Sequence, residues 1–170
     1  MTVLCAGFDS AVNERANRMR WPKGPRRYDI AIGVEILRLA ARPFRIQLDG
    51  VALDTPAMLV AIGNGPQYGG GKRITHGAEM DDGTFLVSVV GPVGRLEFAR
   101  IAPTMSTAGH IGHPCLTQHI ARTVRVFAPN TLGYADGERI GPLPITTECV
   151  PGALPVLVPP GCGFTDVSAG

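Results

Sequence analysis

The chain has 170 residues, of which 45% are hydrophobic, 18% charged and 6% aromatic, and its formal net charge is +2. This composition indicates one globular domain and excludes a disordered chain, and the small net charge gives no indication of nucleic-acid binding. The apolar runs are too short to span a bilayer, and the first ten residues lack the basic start and apolar stretch of a secretion signal. We therefore expect a cytoplasmic protein.

The first forty residues predict a strand followed by a helical hairpin. Residues 2–8 have the pattern of a short strand, and residues 9–19 follow as a helix with Asp9 or Ser10 as its N-cap. A loop rich in proline and basic residues then separates this helix from a second one over 28–41, where apolar residues recur at helical spacing.

Six basic side chains cluster around this hairpin, opposed locally only by Glu14: Arg15, Arg18, Arg20, Lys23, Arg26 and Arg27. Near an anionic membrane each basic residue is worth roughly 1 kcal/mol. The patch therefore predicts a peripheral contact with an anionic membrane surface. The alternative is a solvated helix end and loop, whose charges bind nothing.

After residue 43 the hydrophobic period changes to two, which indicates strands. Asp49-Gly50 stands between two alternating runs and predicts a β-hairpin. The later elements are a buried strand within 57–65, a turn and strand within 81–93, a short helix within 95–105, and strands within 122–130, 132–140, 143–152 and 153–159. We expect a mainly β, sandwich-like domain over residues 1–159, with the helical hairpin near its N-terminus and a flexible tail over 160–170.

The four cysteines are widely spaced and form no CxxC pair, so we expect reduced thiols that serve mostly in packing. One segment, "HIGHPCLTQH", gathers side chains that zinc uses as ligands: His110, His113, Cys115 and His119. Pro114 breaks the helix that would place them on one face. The prediction is therefore core or loop side chains, with a metal site as the alternative.

Three Asp-Gly pairs lie between strand-like runs, and turn formation accounts for all of them. Only the pair at Asp136 is followed by another acid, Glu138. Two carboxylates two residues apart on a tight turn can raise each other's proton affinity, which makes them a candidate general-base pair. A polar surface turn is the alternative.

Two further segments contain candidate ligand sites. In "NGPQYGGGKR", consecutive glycines allow a ligand to approach the backbone, and the residues in question are Asn64, Tyr68, Gly69, Gly70 and Gly71. In "EMDDGT", Asp81 and Asp82 supply the oxygen ligands that Mg²⁺ prefers. A plain glycine turn and a solvated acidic turn are the respective alternatives.

In chain order, six segments closely resemble the C-terminal domain of the bacterial diacylglycerol kinase family, the lipid kinases related to sphingosine kinases: "AGFDSAVNERAN", "NGPQYGGG", "DDG", "GHIGHP", "YADGERIGPLP" and "VPGALPVLVP". The resemblance runs from about Val3 to Pro159. It implies a β-sandwich that supplies a lipid cleft, whereas ATP is bound by an N-terminal α/β domain that is absent here. The sequence itself contains no P-loop, no GxGxxG helix start and no alternating βαβ pattern.

The resemblance also implies residue roles. Glu138 matches the family's general base, which takes the proton of the lipid hydroxyl as its oxygen attacks the γ-phosphorus of ATP, while Asp136 and Gly137 shape the turn. Asp82 matches an acid in a structural Mg²⁺ site, to which backbone oxygens near Glu79 and Thr84 contribute. A catalytic Mg²⁺ is expected with ATP at the domain junction, on a face that the residues of the glycine segment would line.

The chain departs from the family at two places. Thr107-Ala108 stands where members carry Lys-Gly, which weakens any headgroup contact there, and His76 stands where they carry proline. The Asp-Gly-Glu turn is intact.

The leading hypothesis is therefore the substrate-binding and base-donating half of an ATP-dependent lipid kinase that acts on a diacylglycerol-like lipid and is inactive as an isolated chain. One alternative is a non-enzymatic sandwich module that binds lipid or protein. Another is a domain like that of NAD kinase, which phosphorylates a dinucleotide. Loss of a neighbouring domain would also expose apolar surface, so self-association is a further expectation.

Overall fold

The computed structural model describes residues 1–69, 71–155 and 157, and these form a mainly β domain. Its strands are β1 (Val3–Gly7), β2 (Arg42–Leu48), β3 (Val51–Ala57), β4 (Leu59–Gly63), β5 (Phe85–Val90), β6 (Leu116–Ala121), β7 (Thr123–Phe127), β8 (Leu132–Ala135), β9 (Glu138–Pro142) and β10 (Ile145–Glu148). A six-stranded sheet has the order β6-β5-β4-β1-β8-β9, and a four-stranded sheet has the order β10-β7-β2-β3. Neighbouring strands pair antiparallel, and the predicted Asp49-Gly50 hairpin is confirmed as β2–β3.

The two sheets pack face to face around the main apolar core. Leu4, Val60 and Val87 of the six-stranded sheet belong to the same buried cluster as Ile46 and Val126 of the four-stranded sheet. Full burial of one such side chain contributes about 1.5–3 kcal/mol. The sandwich predicted from the sequence is therefore confirmed.

The other face of the six-stranded sheet is covered by helices α1 (Phe8–Arg18), α2 (Arg26–Leu37) and α3 (Arg95–Ile101). Val3, Cys5 and Leu59 on that face form a second buried cluster with Phe98 of α3. Because β1 and β4 are buried on both faces, their sequences are continuous apolar runs instead of alternating ones.

The predicted helical hairpin is confirmed, with corrections at its ends. Helix α2 begins at Arg26 and ends at Leu37, earlier at both ends than the apolar spacing suggested. The N-cap of α1 is Gly7, so the assignment of Asp9 or Ser10 as N-cap was wrong. Strand β1 runs directly into α1, and Ser10 Oγ lies in the first turn, where it accepts a hydrogen bond from Gly7 N–H and donates one to Gly7 O.

The C-terminal half differs from the expectation in three elements. Strand β6 was not predicted, because the histidine-rich segment before it obscured its alternation. The predicted helix within 95–105 splits into α3 and a 3₁₀ helix over Ala102–Thr107. Of the strand predicted over 153–159, residues 153–155 and 157 are not in a strand, and the rest lie outside the described residues, as does the tail over 160–170.

Candidate functional site

The candidate catalytic turn joins β8 to β9 through two residues in left-handed conformations, Asp136 with φ 48° and Gly137 with φ 89°. Two positive φ angles are what a tight hairpin turn of this kind requires, and Asp-Gly is among its preferred pairs. Glu138 is the first residue of β9, opposite Ala135, and its side chain is exposed. Since β9 is an edge strand, the carboxylate of Glu138 lies at the rim of the six-stranded sheet.

Asp136 holds the turn in place. Its Oδ2 accepts a hydrogen bond from Thr2 N at 2.8 Å, and its Oδ1 accepts one from Val3 N at 2.9 Å. Its own amide donates to Val3 O at 3.1 Å. The carboxylate is thus directed at backbone amides at the start of β1, and it attaches the hairpin that carries Glu138 to that strand.

The turn between β2 and β3 is built in the same way, from an Asp-Gly pair whose aspartate accepts hydrogen bonds from the backbone of another strand. Asp49 and Gly50 have φ angles of 48° and 90°, and Asp49 Oδ1 accepts a hydrogen bond from Thr123 N at 2.7 Å. Aspartate in both hairpin turns therefore holds the start of a neighbouring strand. What distinguishes the β8–β9 turn is the residue after glycine, which is Glu138 there and Val51 in the other.

A charged cluster that sequence reasoning missed lies next to this turn. The Tyr134 hydroxyl donates a hydrogen bond to Glu14 Oε2, and Arg139 Nε lies 3.7 Å from the same oxygen. Arg18 pairs with the other carboxylate oxygen of Glu14. Because Arg139 directly follows Glu138, α1 is tied to the strand that presents the candidate base. The sequence alone identifies Glu14 only as the acid that locally opposes the six basic side chains of the hairpin.

This environment shifts two pKa values in opposite directions. The hydrogen bond from Tyr134, assisted by the charge of Arg18, holds the pKa of Glu14 below its ordinary value. Burial, and then the hydrogen bond to Glu14, raise the pKa of Tyr134 to about 12. At neutral pH the pair is therefore a carboxylate and a protonated phenol, as the observed hydrogen bond requires.

The glycine loop begins beside the same turn. Asn64 N donates to Thr2 O at 2.8 Å, so Asn64 and Asp136 bind the same residue of the chain. Gly69 and Gly71 have positive φ angles, and within the described part of the chain no atom beyond the adjacent residues lies within 4 Å of the position a Cβ would take. Their backbone is open to a ligand, whereas the predicted Gly70 lies outside the described residues.

Tyr68, predicted with the glycine segment to line the face towards the domain junction, is half-buried. It packs against the second buried cluster, and burial, then the neighbouring Cys5, raise its pKa well above the ordinary value. Asp9, also buried, has its Oδ1 3.8 Å from Lys72 Nζ. A buried acid, a half-buried phenol and a buried thiol therefore lie beneath the loop. No local pattern predicted this grouping, because Cys5 and Tyr68 are far apart in the chain.

The candidate metal residues form a local turn. Asp82 Oδ1 accepts a hydrogen bond from Thr84 N at 2.8 Å, and Oδ2 accepts one from Thr84 Oγ1 at 2.9 Å, while Glu79 is exposed. Within residues 1–69, 71–155 and 157, no three His, Cys, Asp or Glu side chains come together as a metal site. A Mg²⁺ ion at Asp82 would need backbone oxygens and water as its other ligands, which is the kind of ligand set this hard cation accepts.

Among the described residues, two of the six basic side chains of the hairpin form ion pairs with acids. Arg15 Nε lies 2.5 Å from Glu35 Oε1, and Arg18 pairs with Glu14. Both border a cleft of about 330 Å³ between α1 and α2.

Arg20, Lys23 and Arg26 are exposed around the loop that joins the helices, and Trp21 on that loop is 80% exposed. Among the residues described, no helix has the length and apolar character to cross a bilayer.

A family model described as the YegS C-terminal NAD kinase beta sandwich-like domain matches residues 2–158. The chain belongs to this family. A diacylglycerol kinase of Mycobacterium tuberculosis (strain ATCC 25618 / H37Rv) is 41% identical over 159 residues, which are 93% of this chain and 52% of that protein. A diacylglycerol kinase of Staphylococcus haemolyticus (strain JCSC1435) is 29% identical over 133 residues, 77% of this chain and 40% of that protein.

The family resemblance inferred from the sequence motifs is thereby confirmed. The crystal structure of a diacylglycerol kinase from Bacillus anthracis str. Sterne shares the fold, with a TM-score of 0.50 and 17% identity over 88% of this chain and 44% of that one. The chain spans about half the length of the curated relatives it matches.

Proposed function

We propose that this chain forms the lipid-binding and base-donating part of an ATP-dependent kinase that phosphorylates a diacylglycerol-like hydroxyl lipid. The observation that carries the proposal is the β8–β9 turn, where Asp136 fixes the backbone and leaves the Glu138 carboxylate exposed on an edge strand. Membership of the family and the relatives named diacylglycerol kinase support the class of reaction.

In the proposed reaction Glu138 acts as the general base. Its carboxylate accepts the proton of the lipid hydroxyl while that oxygen forms a bond to the γ-phosphorus of ATP and the bond to ADP breaks. Phosphoryl transfer depends on how the reacting groups are positioned. The contact between Glu14 of α1 and Arg139 of β9 supports a fixed position for the adjacent Glu138. A divalent ion, Mg²⁺ in our proposal, supplies charge neutralisation for the phosphates when bound.

ATP is, on this proposal, bound mainly by an α/β domain that the given chain does not include. Asn64 supports this arrangement, because it places the start of the glycine loop on the same residue, Thr2, that holds the catalytic turn. The open backbone at Gly69 and Gly71 would then face the junction between the domains. A structural Mg²⁺ at Asp82, with oxygens near Glu79 and Thr84, belongs to the same proposal.

The substrate is a membrane lipid, and we propose that the α1–α2 loop brings the protein to the bilayer. Trp21 is exposed between Arg20 and Lys23, and Arg26 begins α2. Tryptophan prefers the membrane–water interface, and each nearby basic residue adds about 1 kcal/mol of attraction to an anionic leaflet. The protein would therefore associate peripherally with an anionic membrane.

The decisive experiment measures phosphatidic acid formation from Mg-ATP and diacylglycerol by a protein that joins this chain to a nucleotide-binding domain of the family. Glu138→Gln should lower turnover by about 100- to 10,000-fold, because the general base is removed while the size of the side chain is kept. Glu148→Gln is the matched control, since Glu148 is an exposed acid on an edge strand of the other sheet.

Near-normal turnover by Glu138→Gln would remove Glu138 from the mechanism. Lipid binding without turnover in the unsubstituted protein would instead favour a non-enzymatic binding module. The given chain alone should form no product, and robust phosphatidic acid formation by it would contradict the proposal that ATP is bound elsewhere.

A further inference from the structure

Two side chains of the loop before β6 and one of α3 form a thiol–imidazole–carboxylate series away from the candidate catalytic turn. Cys115 Sγ lies 3.0 Å from His113 Nδ1, in the loop that leads into β6. His113 Nε2 lies 3.3 Å from Oε1 of Glu97, which belongs to the first turn of α3. A nucleophile, a base and a group that orients the base thus follow one another within hydrogen-bonding reach.

The contacts around the imidazole decide which of its nitrogens carries the proton. The Cys115 backbone N–H donates to His113 Nδ1 at 3.3 Å, so Nδ1 is an acceptor. Nε2 then carries the proton and donates it to the Glu97 carboxylate. This leaves Nδ1 unprotonated next to the thiol, in the position of a base that can receive the sulfur's proton.

We propose that Cys115, His113 and Glu97 form an activated-thiol site that reacts with small uncharged electrophiles, including peroxides. An adjacent base held by a third group is the arrangement by which proteins activate a weak nucleophile. Uncharged reagents are favoured because Glu97, which is half exposed beside the site, repels anions. This site is independent of the kinase proposal and of Glu138.

The thiol is protonated at rest. Burial, and then the charge of Glu97, raise the pKa of Cys115 above its ordinary value. Reaction therefore needs the base: as sulfur attacks, its proton passes to His113 Nδ1. With hydrogen peroxide, an S–O bond forms, the O–O bond breaks, and the leaving hydroxide takes the proton from His113 to become water. Sulfur is oxidised by two electrons and the peroxide is reduced.

The other thiols of the described chain serve as internal references. Cys5 is 2% exposed and Cys149 is 8% exposed, whereas Cys115 is only half buried. Burial also raises the pKa of both buried thiols. A reagent that enters the folded chain should consequently modify Cys115 well before either of them.

The test treats the folded chain with iodoacetamide and measures modification of each cysteine over time by peptide mass spectrometry. Alkylation forms an S–C bond and releases iodide, and the proton again passes to His113. Cys115 should react faster than Cys5 and Cys149, and faster than it does itself in the urea-unfolded chain. His113→Gln should lower the rate of Cys115 alkylation by about tenfold or more, because the base that receives the thiol proton is lost.

Glu97→Gln should slow the reaction less, because the base remains but is no longer held by a charge. His76→Gln is the matched control, an exposed histidine on the turn after the glycine loop, and should leave the rate unchanged. Iodoacetate should react more slowly than iodoacetamide at Cys115, and Glu97→Gln should narrow that difference. Hydrogen peroxide followed by dimedone should label Cys115 as a sulfenic acid.

If His113→Gln folds and Cys115 reacts at an unchanged rate, or if folded Cys115 reacts no faster than the unfolded thiol, the proposal is overturned. Circular dichroism of each variant checks the fold. Should His113→Gln fail to fold, the comparison of folded with unfolded chain and the Glu97→Gln series still decide the question.

Discussion

The Tyr134 hydroxyl donates a hydrogen bond to the carboxylate of Glu14 across a sequence separation of 120 residues. The bond joins the first helix of the chain to β8, next to the strand that begins with Glu138. Tyr134 is almost fully buried, and the same carboxylate attracts Arg139. Helix and candidate catalytic strand are therefore linked through one acid.

Tyr134→Phe should lower the free energy of unfolding by about 1.5–3 kcal/mol at neutral pH, because it removes one hydrogen bond to a charged group and keeps the ring. Urea titration monitored by circular dichroism measures the loss. Tyr28→Phe is the control, since Tyr28 lies half buried on α2 and contacts Arg27 through its ring. An equal loss in both variants would show that the Glu14 bond contributes nothing specific.

The Tyr134–Glu14 pair also determines how the stability of the domain changes with pH. The pKa of Glu14 is lowered, so its contribution is fully present above the ordinary value of 4.5 and is lost as the pH falls below it. The pKa of Tyr134 is raised from 10 to about 12, so stability also falls as the pH rises through that interval. Tyr134→Phe should reduce the loss of stability both at acid pH and at alkaline pH. An unchanged dependence of stability on pH would contradict the assignment of these losses to the Tyr134–Glu14 pair.

Asp136 and Asp49 allow structure and function to be separated. Asp136→Asn and Asp49→Asn should each cost about 1–2 kcal/mol of stability, because each places an amide NH₂ against backbone N–H donors. Only Asp136→Asn should also reduce kinase turnover in the two-domain protein, since only that turn carries Glu138. Equal turnover by the two variants would mean that Asp136 does not position the base.

Gly7 is a place where the strand-to-helix junction tolerates no side chain. Its φ is 96°, and an added Cβ would lie 2.4 Å from Met58 O, a backbone atom that cannot move freely. Gly7→Ala should therefore cost more than about 2 kcal/mol, read from the urea midpoint. Gly33→Ala is the matched control within α2, where space is open, and should be stabilising by up to about 1 kcal/mol.

Trp21→Ala should weaken sedimentation of the chain with vesicles that contain anionic lipid, because the proposed interfacial anchor is lost. Phe127→Ala is the control, an exposed aromatic residue on the four-stranded sheet. Binding should also fall with salt, as expected for the contribution of Arg20, Lys23 and Arg26. Equal binding by Trp21→Ala and the parent chain would exclude this loop as the docking element.

Local signals in the sequence predicted most of the fold. The Asp-Gly pairs located both hairpin turns, since their chemistry is contained in two adjacent residues. Strand β6 was missed because Pro114 and the histidines before it give no alternating pattern. The cap of α1 was misplaced because Asp9 and Ser10 are common N-caps, whereas here a glycine makes the sharp change from strand to helix.

The site was predictable only in part. Glu138 could be selected as an acid after a turn, but the partners of Asp136 and Glu14 lie more than a hundred residues away, and no local pattern contains them. The series from Cys115 to Glu97 likewise depends on how α3 packs beside the loop before β6. Such contacts follow from the tertiary structure alone.

The hydrogen bonds from Thr2 and Val3 to Asp136 have a mechanical consequence. Any polypeptide joined ahead of Thr2 enters the domain beside the hairpin that presents Glu138, and a pull on that segment is transmitted to the amides that fix the hairpin. Movement of an upstream segment would therefore act on the turn that carries Glu138 through contacts only a few ångströms away. The core of the sandwich would not need to transmit it.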